Sequence, residues 1–443
     1  MNLLIIIISF ILIIYALFQY IRVYIFLSKV KINSKNNNEK KLYIIIPCLR
    51  EQSCIKDTID YFKNIMDSKT NIIIVTTKKE EYEYSIIKKE IINSKDKSFI
   101  LKKYSYLGIS DFDISSLKNI NEFFKNFKTT YKVVKEEILP IYDNIILINY
   151  PHKDGMMADQ LNYVLENIKE NDNNFYISIY NADSRPSKKT FNEFYNIPND
   201  IIVCQQYSYA MKNYNKLNIL LKGFSIYQSN FEFKTGLINA YFKTKYLYTH
   251  VVGHGLFIRY DFIKEIGGFT NKFWCEDIFL TLYLKYKKVN IYPLLSLENM
   301  ETADTLKKLM KQNAVWFKTT SDFYKMYKYI RNENNFSYSG LIGAFNELRC
   351  AFNWLFFPIM IIFLIIISLV NNYYLLILLL ISLFIYTSSY TISTIKVINK
   401  IDDKKYKVSL EMLLATFLAT FISNIGPLYA VVKRPTKKYK TER

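Results

Sequence analysis

The chain has 443 residues, 50% of them hydrophobic and 22% charged, with a formal net charge of +20. This length excludes a minimal binding module and leaves room for one large catalytic domain with added elements. The charge alone would suit nucleic acid, but lysine is scattered among Ile, Asn and Tyr instead of forming one basic face. Nucleic acid is therefore set aside in favour of a membrane-facing basic surface.

Residues 3–27 form a nearly charge-free apolar run, close to the ~20 residues that a membrane-spanning helix needs. The run is too long for a signal-peptide core and no small-residue cleavage site follows, so residues 1–28 read as a retained anchor. Lys29, Lys31, Lys35, Lys40 and Lys41 follow it, whereas Met1-Asn2 carries no basic side chain. The positive-inside bias then puts the N-terminus outside and the next domain, residues 40–335, in the cytoplasm of a multi-pass plasma (inner) membrane protein.

Leu42 to Ile46 reads as a strand ending at Pro47, followed by the turn Cys48-Leu49-Arg50-Glu51. Ile55 to Ile65 has helical apolar spacing and Asn71 to Val75 is a second strand. Strand, helix and strand in this order predict an α/β fold with a doubly wound, mostly parallel sheet. Residues 78–140 are Lys/Glu-rich and weakly periodic, which predicts a variable inserted lobe with a helix at Glu81 to Ile92. The strand pattern resumes at Ile145 to Ile148, and Met157 to Asn167 is a helix with Leu161, Val164 and Leu165 inward. The strand Phe175 to Tyr180 is stopped by Asn181-Ala182-Asp183-Ser184-Arg185-Pro186. Further strands are expected at Ile201 to Tyr207 and Leu256 to Arg259, with the loop Gly253-His254-Gly255 between them and Glu276-Asp277 at the mouth of a helix.

Beyond residue 335 the apolar stripe Leu341, Phe345, Leu348 and Phe352 lies opposite Asn346, Glu347 and Arg349, which predicts an interfacial helix over 338–351. Residues 352–370 and 373–395 then form a spanning hairpin around Asn371-Asn372. Leu410 to Val432 could cross once, but Gly426-Pro427 interrupts it and a basic tail, 433–443, follows. A re-entrant or interfacial segment with a cytosolic tail is therefore expected within 352–432.

Three residue groups carry chemistry. Asp183 falls where a strand ends, the edge at which open α/β sheets bind ligands. It is a hard oxygen ligand suited to Mg²⁺ or Mn²⁺ together with phosphate oxygens, although a polar turn closing a core strand looks the same. Glu276 and Asp277 would be stabilised by a helix dipole whatever their role, or could supply a general base. The five cysteines are scattered with no C-x₂-C pair, which fits reduced cytosolic thiols. His152, His250 and His254 are the only histidines, too few and too dispersed for a histidine metal cluster.

Taken in order, Ile44-Ile45-Ile46-Pro47-Cys48-Leu49-Arg50-Glu51, Met157-Ala158-Asp159-Gln160-Leu161-Asn162, Asn181-Ala182-Asp183, Cys275-Glu276-Asp277 and Gln312-Asn313-Ala314-Val315-Trp316 resemble the motifs of membrane-bound family 2 glycosyltransferases. That group contains cellulose, chitin and hyaluronan synthases. The resemblance covers residues 40–320 and the trailing membrane helices. It implies a GT-A domain moving a sugar from a nucleotide donor of UDP type to a glycan or lipid-linked acceptor, with inversion, as a hexosyltransferase. Pro47, Glu51, Asp159, Asn181, Asp183 and Arg185 would border the donor, and Asp183 would hold the divalent metal. Asp277 would be the catalytic base with Glu276 beside it, and His254, Gln312 and Trp316 would meet the acceptor. Membrane lipids are the further expected partner.

The chain departs from the family pattern at three places. Met157 replaces a lysine, leaving Lys153 or Arg185 to balance phosphate charge. Asn181 replaces the first aspartate of the metal motif. Val315 replaces an arginine that accompanies processive synthesis. A polyprenyl-phosphate glycosyltransferase and a non-catalytic nucleotide-sugar-binding homologue therefore stay open. A transporter is disfavoured, because no ionisable residue interrupts 352–370 or 373–395.

Overall fold

Leu42–Pro47 is apolar along its length and becomes β1, buried on both faces up to Ile46. Such continuous apolar runs belong to parallel sheets covered on both sides, because alternation would put polar groups into one of the two cores. The computed structural model describes residues 2–30, 40–66, 70–170 and 175–435. Lys31 and Lys35 after the anchor, and Lys437, Lys438, Lys440 and Arg443 of the basic tail, lie outside the described residues. The chain divides into two units, one of residues 40–185 with 259–271, the other of residues 2–30, 186–258 and 272–435.

In the first unit β1, β2 (Asn71–Thr77), β3 (Ile145–Tyr150) and β4 (Tyr176–Ile179) run parallel in the order β3-β2-β1-β4. The helix Ile55–Ile65 buries Ile55, Ile59 and Phe62 of its apolar spacing together with Thr58, while Ile65 is only partly buried. Phe62 is fully buried with its ring 5.4 Å from that of Tyr180, a burial worth about 1.5–3 kcal/mol. Between β2 and β3 the chain makes helices Lys78–Asn93, Lys97–Lys103 and Leu117–Asn126. These close a separate cluster that includes Tyr84, Ile87, Ile100, Leu107 and Ile120. The lobe reads as weakly periodic because its cluster is gathered from several separate pieces: Tyr84, Ile87 and Ile91 from the first helix but only Ile100 and Ile120 from the next two.

In the second unit β5 (Val203–Tyr209) lies between antiparallel β6 (Leu256–Arg259) and parallel β7 (Ile291–Asn299). The sequence pattern does not reveal β7, because Pro293 falls inside it. An edge position, at the end of the strand order, tolerates a residue that cannot donate to a ladder.

Four stretches of this unit are long and apolar enough to cross a membrane: Asn2–Lys29, Tyr338–Asn371, Tyr373–Ile401 and Leu410–Lys433. Ile5 and Leu12 of the first pack with Ile361, Leu364, Leu375, Leu379 and Leu383 of the second and third. Two expectations change here. Residues 338–351 are not a separate interfacial helix but the opening turns of Tyr338–Asn371. Leu341, Phe345, Leu348 and Phe352 are exposed as the stripe predicts, yet Asn346 and Glu347 are buried instead of facing water. The cause is helix Glu276–Tyr286, whose Tyr286 ring and Leu282 crowd Gly340 and Gly343 so closely that a Cβ there would clash.

The second change concerns the last segment, which is two helices, Leu410–Thr420 and Ile425–Lys433. The break falls at residues 421–424, before Gly426-Pro427 and not at it. Proline in a first helical turn removes an N–H that has no intrahelical partner anyway, so Pro427 starts the second helix instead of ending the first. Gly426 is required by packing, since a Cβ there would lie 2.3 Å from that of Asn313.

A buried carboxyl makes this unit sensitive to pH. Burial pushes Glu193, on helix Lys188–Asn196, up to about 7, against the opposing effect of the Leu295 N–H that it accepts. The folded value lies above the unfolded one, so between the usual carboxylate range and about 7 the native state holds a proton that the unfolded state has lost. Stability therefore falls as pH rises through that window, by about 3 kcal/mol at most. Glu193→Gln is expected to raise the thermal midpoint at about pH 8 and to leave it nearly unchanged at about pH 5. Parallel pH profiles for the variant and the unmodified protein would exclude this role.

Candidate functional site

β1 and β4 are neighbours, with Ile45 opposite Ile179, while the chain passes from β1 to β2 on the other side. The strand order thus reverses between β1 and β4, and the crevice beyond the carboxyl ends at such a switch point is where open α/β sheets take their ligands. Both loops that leave this point carry residues singled out by the sequence.

After β1, Pro47 pairs with Val75 and the Cys48 N–H reaches the Val75 carbonyl at 2.8 Å. Arg50 then turns the chain with φ of 59°, in the left-handed region. The buried Glu51 follows, its N–H held by Thr130 Oγ1 at 2.9 Å and its carboxylate 3.5 Å from the Cys54 thiol. Glu80, which the sequence reading passed over, organises this loop. Its buried carboxylate accepts the Arg50 N–H at 3.0 Å and the Thr130 N–H at 2.8 Å. The pattern Thr77-x-x-Glu80 carries a signal, but it spells a capping box. Thr77 does cap its helix, through the Lys79 N–H, while Glu80 is diverted to the loop beyond β1.

After β4, the Asn181 N–H meets Ser184 Oγ at 3.2 Å and the Ser184 N–H meets the Asn181 carbonyl at 3.1 Å. Ala182 is buried under this tight turn, its carbonyl bonded by the Thr58 hydroxyl, and Asp183 is left exposed. Arg185 donates to Thr58 Oγ1 and to the Ser184 carbonyl, both at 2.8 Å, and its guanidinium lies over the Tyr61 ring. The turn thus presents a carboxylate with a cation fixed beside it by helix Ile55–Ile65.

Asp159 has a structural task in the same unit. Its Oδ2 accepts the Met156 N–H at 2.6 Å at the start of helix Met157–Asn167, and its Oδ1 accepts the Asn271 amide at 2.6 Å. Lys153 is exposed, with its ammonium over the Tyr82 ring.

In the second unit Glu276 and Asp277 open helix Glu276–Tyr286. Glu276 is buried, whereas Asp277 keeps part of its surface. Asp277 Oδ2 accepts the Gly253 N–H at 2.8 Å and Oδ1 accepts its neighbour Ile278 N–H at 2.9 Å. The loop Gly253-His254-Gly255 is therefore tied to this carboxylate. Gln205 fixes the loop from below, donating to the His254 carbonyl at 2.8 Å and accepting the Val252 N–H at 3.0 Å. His254 Nε2 stands 3.9 Å from the buried Glu298 on β7. Nothing in the sequence marks Gln205 or Glu298, since each lies within a strand beside other polar residues, Gln206 and Ser208 in β5 and Ser296 and Asn299 in β7. Gln312 and Trp316, i and i+4 on helix Leu306–Ser321, are both partly buried. Beside them Cys275 Sγ lies 3.9 Å from the Val315 carbonyl.

Among the described residues no group of three His, Cys, Asp or Glu side chains could hold a metal by itself. Asp183 alone fits a different arrangement. Mg²⁺-type ions dehydrate reluctantly and are held by one or two carboxylates plus substrate phosphates and water, so an exposed single carboxylate suits a metal that arrives with a diphosphate.

No family model matches the chain, and no curated protein matches it in sequence. Solved structures that resemble it include the mannosyltransferase PcManGT from Pyrobaculum calidifontis in complex with GDP-Man and Mn²⁺, at 11% identity and TM-score 0.46, over 98% of this chain and 99% of that one. TarS 1-349 from S. aureus in complex with UDP-GlcNAc is similar at 12% identity and TM-score 0.35, over 88% of this chain and 92% of that one. At TM-scores below 0.5 these are partial likenesses.

Proposed function

We propose that the protein is a membrane-bound glycosyltransferase that moves a sugar from a nucleotide donor, of UDP type, to a glycan or lipid-linked acceptor. The observation that carries this reading is the pair of loops at the β1/β4 switch point, which gathers Pro47, Glu51, Asn181, Asp183 and Arg185 at the ligand-binding edge of a parallel sheet.

Arg185 is preset for the diphosphate. Thr58 and Tyr61 hold its guanidinium, so little side-chain entropy is lost when it meets an anion. Asp183 would hold Mg²⁺ or Mn²⁺, which supplies charge neutralisation to the departing diphosphate. Asp277 takes the proton of the acceptor hydroxyl as its oxygen bonds to the anomeric carbon and the bond to the diphosphate breaks. The result is single displacement with inversion. A sugar hydroxyl is a poor nucleophile, and a base in reach of its proton contributes about 10²–10⁴-fold. The Gly253 and Ile278 N–H groups aim the carboxylate. Trp316 offers a ring face and Gln312 a hydrogen-bonding amide for an acceptor sugar.

Membranes containing the full chain, incubated with a panel of nucleotide sugars with and without Mn²⁺, test the proposal. One donor is expected to transfer its sugar to lipid-extractable or polymeric product. Nucleotide-sugar binding without turnover of any donor would overturn the enzymatic reading in favour of a binding role. Product confined to a polyprenyl phosphate would select the narrower enzyme.

A further inference from the structure

Asp277, Thr281 and Lys285 follow one another at four-residue steps, which puts them along one face of helix Glu276–Tyr286. Each ties down the chain that leads to the Gly253 loop. Asp277 Oδ2 accepts the Gly253 N–H, Thr281 Oγ1 accepts the Val251 N–H at 3.1 Å, and the Lys285 ammonium donates to the Lys245 carbonyl. Helix Tyr338–Asn371 holds the far end of this segment, because the Asn346 amide donates to the Tyr246 carbonyl at 3.0 Å. Leu247 lines a small cavity together with Gly343 and Asn346 of that helix. The backbone of Lys245-Tyr246-Leu247 is therefore fastened, yet all three residues are exposed, Tyr246 at 67%.

The outward charge at this tip is positive. Lys243 and Lys245 are exposed. Arg349 is exposed too, and its guanidinium reaches Asn346 Oδ1 at 3.4 Å, on the same amide group that holds Tyr246. Two nearby carboxylates are turned inward. Glu347 is buried at the cavity that Leu247 lines, and Glu232 faces the buried His250 Nε2 at 3.3 Å.

Height along helix Tyr338–Asn371 identifies what the tip meets. Counted back from Asn371, where the apolar run ends, a ~30 Å hydrocarbon layer takes about 20 residues and reaches Phe352. The headgroup layer adds about 5–8 Å on that side. Arg349 falls within it, and Asn346, about 9 Å above Phe352, falls at its outer edge. The exposed stripe Leu341, Phe345, Leu348 and Phe352 brackets the same height. Tyrosine and lysine suit this layer, since an amphipathic ring settles at headgroup level and an ammonium is drawn to anionic lipid.

We infer that the tip Lys245-Tyr246-Leu247, with Arg349, docks into the headgroup layer of the bilayer and prefers anionic lipid there. The inference rests on the reading that Tyr338–Asn371 crosses that bilayer. The other end of the fastened segment aims the Asp277 carboxylate, so docking ties the proposed base to the membrane surface. Docking itself does not depend on sugar transfer, and a lipid contact in a protein without turnover leaves it standing.

The test uses the full chain in nanodiscs of equal parts phosphatidylcholine and phosphatidylglycerol. The photocrosslinking residue p-benzoylphenylalanine is placed singly at Tyr246, Phe345 or Tyr338, all exposed, and adducts are read by mass spectrometry. Tyr246 and Phe345 are expected to give lipid adducts. Tyr338, on the same helix but about 21 Å above Phe352, is expected to give none. Phosphatidylglycerol should be enriched at least about fivefold in the Tyr246 adduct, and Lys245→Gln combined with Arg349→Gln should bring the two lipids to parity. Adducts at Phe345 with none at Tyr246, or equal yields at Tyr246 and Tyr338, would overturn the docking. No adduct at Phe345 would remove the bilayer from this helix and the docking with it. Equal labelling of both lipids at Tyr246 would overturn the anionic preference.

Discussion

Asp277→Asn is expected to lower sugar transfer by at least ~10²-fold while nucleotide-sugar affinity stays within about threefold of the unmodified protein. The amide keeps the size of the carboxylate but cannot take a proton. It also cannot reproduce both hydrogen bonds, since Gly253 and Ile278 each donate to one carboxylate oxygen and an amide has a single acceptor atom. One N–H would then face an NH₂ group, a local cost of about 1–3 kcal/mol that falls on the Gly253–Gly255 loop. Loss of the base lowers kcat, whereas loss of loop order raises the acceptor KM, so the two effects separate in a full kinetic analysis. Turnover within about threefold of the unmodified protein would remove Asp277 from the chemistry.

Asp183→Ala is expected to abolish the metal-dependent part of UDP binding, with affinity in Mg²⁺ or Mn²⁺ falling by at least ~10–100-fold and affinity in EDTA unchanged. The residue is exposed and its turn is held by Asn181, Ser184 and Thr58, so removing its side chain leaves those contacts in place. Isothermal titration of UDP with and without metal measures the difference directly. Equal affinity under both conditions in the unmodified protein would exclude a metal role and leave Arg185 and Lys153 as the phosphate ligands. Arg185→Lys provides the complementary reading. A lysine keeps the charge but lacks the planar group that lies over Tyr61 and donates to Thr58, so its loss of affinity appears with or without metal.

The residue sequence by itself determined the elements whose signal is local. β1 and β2 are legible as apolar runs, helix Ile55–Ile65 as a periodic stripe, and the helices long and apolar enough to cross a membrane as stretches nearly free of charge. Pro47 and Asp183 stand out in the sequence because each falls where a strand stops, and Asp277 because it falls where a helix starts, and such start and stop signals are short-range. Tertiary structure decided what depends on distant partners. β7 carries Pro293 against its own pattern and exists because β5 supplies the ladder. Glu80 sits in a capping pattern but bonds to Arg50 and Thr130, thirty and fifty residues away. Asp159 lies in a motif that suggests donor contact, yet both its oxygens hold backbone or side-chain amides. Asn346 and Glu347, from the polar face of residues 338–351, are turned inward against helix Glu276–Tyr286, and the last apolar segment breaks at 421–424, ahead of its Gly-Pro. In each case the local preference is worth about 1 kcal/mol or less, whereas burial and satisfied hydrogen bonds in the assembled fold are worth several, so the long-range term wins.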